Sequence, residues 1–198
     1  MQLNKRQDAI IIGTMLGDGC LEHNGHFVRL RLEHGKNQKS YLLWKYEELK
    51  NLITGSVMKI HAYHKVNECF YDSYRVYTFS DEVFSDYWNT FYVNNKKIIP
   101  HNIEHILKSP LSLAIWFMDD GYKRNDCNAF RLNTDSFLLE EQKLLQKVLL
   151  KNFGLKTKVH KKGKYWNVYI PARESNKFVN LVEPYIIPNL AYKIALTP

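Results

Sequence analysis

Hydrophobic and polar positions alternate or recur along this chain in ways that mark out its elements before any composition is counted. Residues 26–34 (HFVRLRLEH) put Val28, Leu30 and Leu32 on one side and Arg29, Arg31 and Glu33 on the other, the two-residue period of a strand with one buried face. LKTKVH at 155–160 does the same, with Leu155, Thr157 and Val159 opposed to Lys156, Lys158 and His160. It runs through Lys162-Gly163-Lys164 into YWNVYI, so residues 156–170 read as a hairpin. A longer hairpin is expected over 57–79, a third strand over 129–134, amphipathic helices over 40–52 and 137–152, and further helical stretches over 81–91 and 173–182.

Two apolar runs stand apart from these. IIGTMLGDG (11–19) and LAIWFMDDG (113–121) superpose without a gap, each ends in Asp-Gly, and Asp18 and Asp120 are 102 residues apart, about half the chain. After each run the same order recurs: strand, helix, hairpin, helix, and then a proline-containing stretch that delivers a lysine. That stretch is VNNKKIIP in the first copy, with Lys96 and Lys97, and EPYIIPNLAYK in the second, with Lys193. Internal repetition of this kind predicts an α+β protein of two pseudo-symmetric halves, residues 1–100 and 101–198. Gly13 and Gly17, four apart, share a helical face and would admit a second helix closely. If the two runs pack side by side across the pseudo-two-fold axis, their last turns bring Asp18 and Asp120 together. Carboxylates at the negative ends of two helix dipoles repel, and a cation is the natural compensation. Magnesium held by carboxylates suits phosphodiester hydrolysis, and a two-fold site suits duplex DNA.

Charge supports that direction. The 198 residues carry 28 Lys and Arg against 20 Asp and Glu, a formal +8, and from Gln142 through Arg173 nine basic residues occur with no acid. A polyanion is the expected partner. No apolar run approaches the roughly 20 residues of a membrane span and the N-terminus lacks the apolar stretch of a signal peptide, so we expect a soluble intracellular protein with no membrane partner, in an organelle or in a bacterial or phage-infected cytoplasm. Cys20, Cys69 and Cys127 are widely spaced, which gives neither a disulfide framework nor a zinc knuckle.

The two Asp-Gly runs resemble the paired nine-residue signatures of the LAGLIDADG homing endonucleases, both copies in one chain as in the monomeric members. FYVNNKKIIP (91–100), LSLAIWFMDDG (111–121), RLNTDSF (131–137) and PYIIPNLAYK (184–193) are similar to blocks of the yeast mitochondrial omega-intron branch. The resemblance implies two αββαββα halves, each with a saddle-shaped antiparallel sheet, packed through the two signature helices. It implies a Mg²⁺-dependent, monomeric, site-specific endonuclease that takes a long asymmetric site in double-stranded DNA and leaves short 3′ overhangs. Two or three divalent ions would be held at Asp18 and Asp120, with Mn²⁺ as a substitute. Lys97, with Lys96 as its rival, and Lys193 fall at the basic positions near the metals. In the second signature Ile115 and Asp119 replace Gly13 and Gly17; Asp120 aligns with Asp18, and Asp119 reads as a supporting group. Arg29, Arg31, Arg75, Arg131, Lys158, His160, Lys162 and Trp166 are the expected DNA contacts on the two sheets, with strand register deciding which face each takes.

Two rivals follow from the same residues. A relative that keeps the fold but does not cut would bind nucleic acid as an intron RNA maturase or a regulator. His101-Asn102-Ile103-Glu104-His105 matches the inverted zinc-protease motif H-x-x-E-H, which needs a helix and a third ligand.

Overall fold

The computed structural model describes residues 2–197, and these divide into two compact units. One holds residues up to 7 together with 18–90, the other 8–17 together with 91 onward. The division falls ten residues before the expected boundary between sequence halves, and it assigns most of the first signature to the second unit.

The elements run α1 (Lys5–Leu16), β1 (Cys20–Asn24), β2 (Phe27–Gly35), α2 (Lys39–Glu48), β3 (Ile53–His64), β4 (Cys69–Thr78) and α3 (Glu82–Phe91). A small hairpin, β5 (Tyr92–Val93) and β6 (Lys96–Lys97), and the one-turn α4 (Ile103–Ile106) lead into the repeat. The series then recurs as α5 (Pro110–Asp120), β7 (Gly121–Lys123), β8 (Phe130–Leu132), α6 (Leu139–Phe153), β9 (Lys158–Lys162), β10 (Tyr165–Ile170) and α7 (Ser175–Val182). This is the expected αββαββα order, twice.

In the first unit the antiparallel sheet has the order β1-β2-β4-β3. Its alternation is that read from the chain: Val28, Leu30, Leu32 and Val76 are buried on the side where α2 packs, with Tyr41 and Leu42 in the same core. Arg29, Arg31 and Arg75 take the open side. β1 has no sequence signature of its own, because only Leu21 among its five residues is buried. It exists because Gly25, at φ 68°, turns the chain back and lets Cys20–Asn24 pair with β2.

The second unit repeats the order as β7-β8-β10-β9 with shorter strands. Phe130, Leu132, Val168 and Ile170 are buried on the α6 side. Phe117, Phe130 and Phe178 meet with ring centroids 4.9–5.6 Å apart and knit α5, β8 and α7 together. Helix α5 starts where Ser109 accepts the N–H of Leu111 and Pro110 occupies the first turn. Every residue from Leu111 to Asp119 is buried, so this helix is the spine of the unit.

Residues 8–17 pack on that spine. A Cβ placed on Gly13 would lie 2.5 Å from the carbonyl oxygen of Ser112 and 2.6 Å from Ile115 Cβ, and one on Gly17 would lie 2.5 Å from Asp119 Cβ. The two departures of the second signature are thereby explained: Ile115 and Asp119 fill the notches that Gly13 and Gly17 leave. Ser112 Oγ fixes the register by donating to the Ala9 carbonyl (2.7 Å). Among the described residues no helix is long and apolar enough to cross a membrane.

Candidate functional site

A helix ends with carbonyls that have no intrahelical donor. At the end of the first signature the Gly17 carbonyl receives Lys97 Nζ at 2.8 Å; at the end of the second the Met118 carbonyl receives Lys193 Nζ at 2.7 Å. Both lysines are half-buried. Lys97 reaches its partner because the β5–β6 turn uses Asn94 and Asn95 at φ 50° and 61°, a conformation asparagine tolerates better than most residues. Pairing Tyr92 with Lys97 and Val93 with Lys96 sends the two lysines to opposite sides, and Lys96 is exposed. Of the two, it is Lys97 that the hairpin brings to the Gly17 carbonyl. Lys193 closes a 3-10 turn over Pro188–Lys193. Each ammonium sits on the negative end of a helix, the favourable place for a cation.

The acids differ in exposure. Asp119 is only 7% exposed, tucked against Gly17, whereas Asp120, the last residue of α5, is more open. The Asp120 carbonyl accepts the Asn133 N–H (3.0 Å). Both acids line a cleft of about 580 Å³ whose other walls include Tyr122, Arg124, Asn133, Tyr192 and Lys193. The Asp120 carboxylate and the Asn133 amide, with the buried Asp119 behind them and several cations beside them, form a set that fits a small hard divalent ion with an anionic oxygen ligand. Asp18, in the first unit, has a 44% exposed side chain, 3.8 Å from Nδ1 of the buried His34.

Sequence reasoning passed over Tyr122, Arg124, Asn133 and Tyr192. Each was within reach: Tyr122 and Arg124 directly follow the second Asp-Gly, Asn133 lies inside RLNTDSF, and Tyr192 precedes Lys193.

The open faces of the sheets carry the nominated basic residues. In the first sheet Glu22 lies 2.5 Å from Arg29 and 3.4 Å from Arg31, and Glu33 lies 2.8 Å from Arg75. The Arg29 guanidinium also sits 3.9 Å over the Tyr77 ring. Partial burial raises the carboxyl of Glu33, but hydrogen bonds from Ser73 and Arg75 outweigh it and hold it below the ordinary carboxylate value. In the second sheet, register places Arg131, Tyr169 and Lys158 in one row and Asn167 and His160 in the next. His160 stacks on Tyr169, and Lys162 stands 3.7 Å from Asp135. Burial first, then the charges of Arg131, Lys158 and Arg124, hold the His160 imidazole below the ordinary histidine value.

One expected contact is corrected by the register, and the metalloprotease rival loses its motif. Trp166 pairs with Lys161, shares the side of Val168 and faces away from Lys158, His160 and Lys162. A strand alternates strictly, so it cannot join them. The H-x-x-E-H segment falls on a turn and the four-residue α4, and Glu104 is occupied by an ion pair with Lys151; one helical turn presents no inverted zinc motif.

Comparison with known proteins places this arrangement. The model of the LAGLIDADG DNA endonuclease family matches residues 8–178. A probable intron-encoded endonuclease 1 of Wickerhamomyces canadensis is 30% identical over 200 residues, covering 97% of this chain and 85% of that protein. A cytochrome b mRNA maturase bI2 of Debaryomyces hansenii is 29% identical over 198 residues, covering 97% and 74%. Among solved structures, the homing endonuclease I-WcaI bound to its DNA recognition sequence superposes with a TM-score of 0.92 at 27% identity, covering all of this chain and 89% of that one. With both signatures, the twice-repeated element order and a family match over most of its length, this chain belongs to the LAGLIDADG DNA endonuclease family.

Proposed function

We propose that the protein is a monomeric, site-specific endonuclease that cuts both strands of a long asymmetric duplex site and leaves short 3′ overhangs. The observation that carries this reading is the retention of an acid and a lysine at the end of both signature helices: Asp18 with Lys97 on the Gly17 carbonyl, and Asp120 with Lys193 on the Met118 carbonyl. The lysines also cap helix ends, but carboxylates placed at the negative ends of the same helices are poor caps and favour a role in holding cations.

In this reading Asp18 and Asp120 are the protein ligands of two or three Mg²⁺ ions, replaceable by Mn²⁺, and Asp119 stays a packing group beneath Gly17. Bound divalent ions would lower the pKa of an attacking water and stabilise the leaving oxygen. The chain's own share is to bind and orient. Asn133 and Tyr192 shape the cleft at Asp120, while Lys97 and Lys193 hold positive charge where a phosphodiester gains negative charge. The open faces of the two sheets supply groups for phosphates and base edges.

A second reading has a specific observation behind it, since the Debaryomyces relative is named an mRNA maturase. Under it, intron RNA is the partner and no cutting occurs. Selection from a pool of randomised duplexes with Mg²⁺, capturing cut ends by ligation, separates the two. Recovery of one long site with 3′ overhangs, absent with the Asp18→Asn/Asp120→Asn double variant, is the expected result. Retention of one sequence without any cutting would replace the endonuclease reading with a binding one, and RNA would be tested next.

A further inference from the structure

The open face of the second sheet buries one side chain whose polar atoms find no partner among the described residues. Asn167 is fully buried, and neither its amide nitrogen nor its amide oxygen has a hydrogen-bond partner. Native proteins rarely leave such groups unpaired, because each forgoes the hydrogen bonds it had with water. Register puts Asn167 on the open side: it pairs with His160, while its strand neighbours Trp166 and Val168 point toward the helix-covered side. Two side-chain pairs flank it. On one side the His160 ring stacks on Tyr169 with centroids 4.3 Å apart and planes 19° from parallel; on the other Lys162 stands 3.7 Å from Asp135. Arg131, which pairs with Tyr169, likewise has a buried Nε without a partner.

The first sheet shows what its counterpart does. Arg31 pairs with Tyr77 as Arg131 pairs with Tyr169, so the residue two before each tyrosine occupies the same slot. In the first sheet that slot holds Arg75, which bonds to Glu33 (2.8 Å). In the second it holds Asn167, and the residue two past Arg131, matching Glu33, is Asn133. An ion pair has been exchanged for amides, one of them sealed and unsatisfied.

Resting on the duplex-binding reading above, we propose that Asn167 is a specificity-determining residue, whose amide pairs with the edge of an adenine in the major groove once the His160–Tyr169 stack swings aside. A carboxamide offers one donor and one acceptor in a plane, which matches N6 and N7 of adenine, as an arginine fork matches guanine. Asn167 is buried in the free protein with His160 directly across from it in the register, and the missing hydrogen bonds are made on the target.

The test uses the duplex selected above and its full set of single-base-pair variants, with binding measured in the Asp18→Asn/Asp120→Asn background so that the DNA stays intact. Asn167→Leu removes the amide while keeping the same forked arrangement of side-chain heavy atoms. The expected result is a loss of about tenfold to a hundredfold in preference for A·T at one base pair, with discrimination elsewhere unchanged and thermal stability equal or higher. A profile unchanged at every position overturns the proposal and leaves the endonuclease reading standing. So does a uniform loss of affinity with a lower Tm, which would assign Asn167 to packing or to an ordered water. Should Asn167→Leu not fold, Asn167→Ala is read by the same profile. If the unsubstituted protein selects no duplex at all, the proposal falls with the reading it rests on.

Discussion

The open faces of the two sheets hold an arginine at the same register position, opposite a tyrosine, and surround it differently. Around Arg31 the face is neutralised from within: Glu22 lies against both Arg29 and Arg31, and Glu33 against Arg75. Around Arg131 the neighbours are Lys158, His160 and Tyr169, and the nearby acids lie on Arg124 and beside Lys162. The first face is a preformed array whose guanidinium groups are already oriented, and it must exchange partners to hold a phosphate. The second keeps more of its charge for a ligand. Under the proposed duplex-binding reading, two sheets of one topology would divide the work, with orientation weighted to the first and electrostatic attraction to the second. The helices divide labour in a parallel way, with notches on residues 8–17 and the bulk that fills them on α5.

The sharpest test of equivalence between halves is at the acids. Asp18→Asn and Asp120→Asn should each lower double-strand cleavage by about 10³-fold or more, the order that several kcal/mol of lost charge stabilisation gives. Binding should stay within about tenfold, since removing a negative charge near phosphate relieves repulsion. Single-turnover cleavage and a binding titration on the same duplex decide it. If Asp119→Asn abolished cutting while Asp120→Asn did not, the assignment of the second acid would reverse.

The lysines come next in size. Lys97→Ala and Lys193→Ala should each slow the cleavage step by roughly 10², while Lys96→Ala, on the exposed side of its hairpin, should leave the rate unchanged. Equal effects of Lys96→Ala and Lys97→Ala would dissolve the distinction that the β5–β6 turn makes.

On stability, the two signatures should respond unequally to small changes. Gly13→Ala drives a methyl against the Ser112 carbonyl and Ile115, and overpacking of this kind costs about 1–3 kcal/mol. Pairing it with Ile115→Ala should recover part of that loss, because the notch then has less to receive. A Tm for Gly13→Ala equal to that of the unsubstituted protein would rule out the close approach.

What could be read from the chain and what could not follow one physical line. Elements with a long alternation, such as Phe27–Gly35, or a long apolar run, such as Pro110–Asp120, were legible because burial on one face or on all faces leaves a periodic trace. β1, β5 and β6 were not. They are held by turns at Gly25 and at Asn94–Asn95 and by pairing with neighbours, and five residues with one buried side chain are too few to show a period. Asp18, Asp120, Lys97 and Lys193 could be nominated from the chain because they end repeated segments, and their role is the proposal made above. Trp166 was misplaced because an aromatic in a basic hairpin looks like a contact until register assigns its side. Asn167 left no trace at all, since nothing in a sequence marks an amide that will be buried without partners.

Salt dependence tests the division between the sheets directly. Arg131→Gln or Lys158→Gln should each reduce the magnitude of the slope of log K against log[salt] by about 1. Glu22→Gln in the first sheet should increase it by a similar amount, because Arg29 and Arg31 lose their shared internal partner, and should blur base discrimination as those arginines lose orientation. Equal reductions from both sheets with no effect at Glu22 would erase the contrast.

The smallest effect concerns a proton on the second sheet. Burial and the charges of Arg131, Lys158 and Arg124 keep His160 below its ordinary value, so it is neutral at pH 7. Its contribution to folding is then present above the unfolded histidine value near 6.5 and is lost as pH falls through the lower folded value. Binding has the opposite sign. A phosphate favours the imidazolium, so affinity should rise as pH falls from 7 toward 5.5, by about fivefold for roughly 1 kcal/mol between unit charges at 4 Å in water. His160→Gln should flatten that rise. A rise that persists in His160→Gln would move the titrating group elsewhere and remove the proton-sensitive half of the contrast.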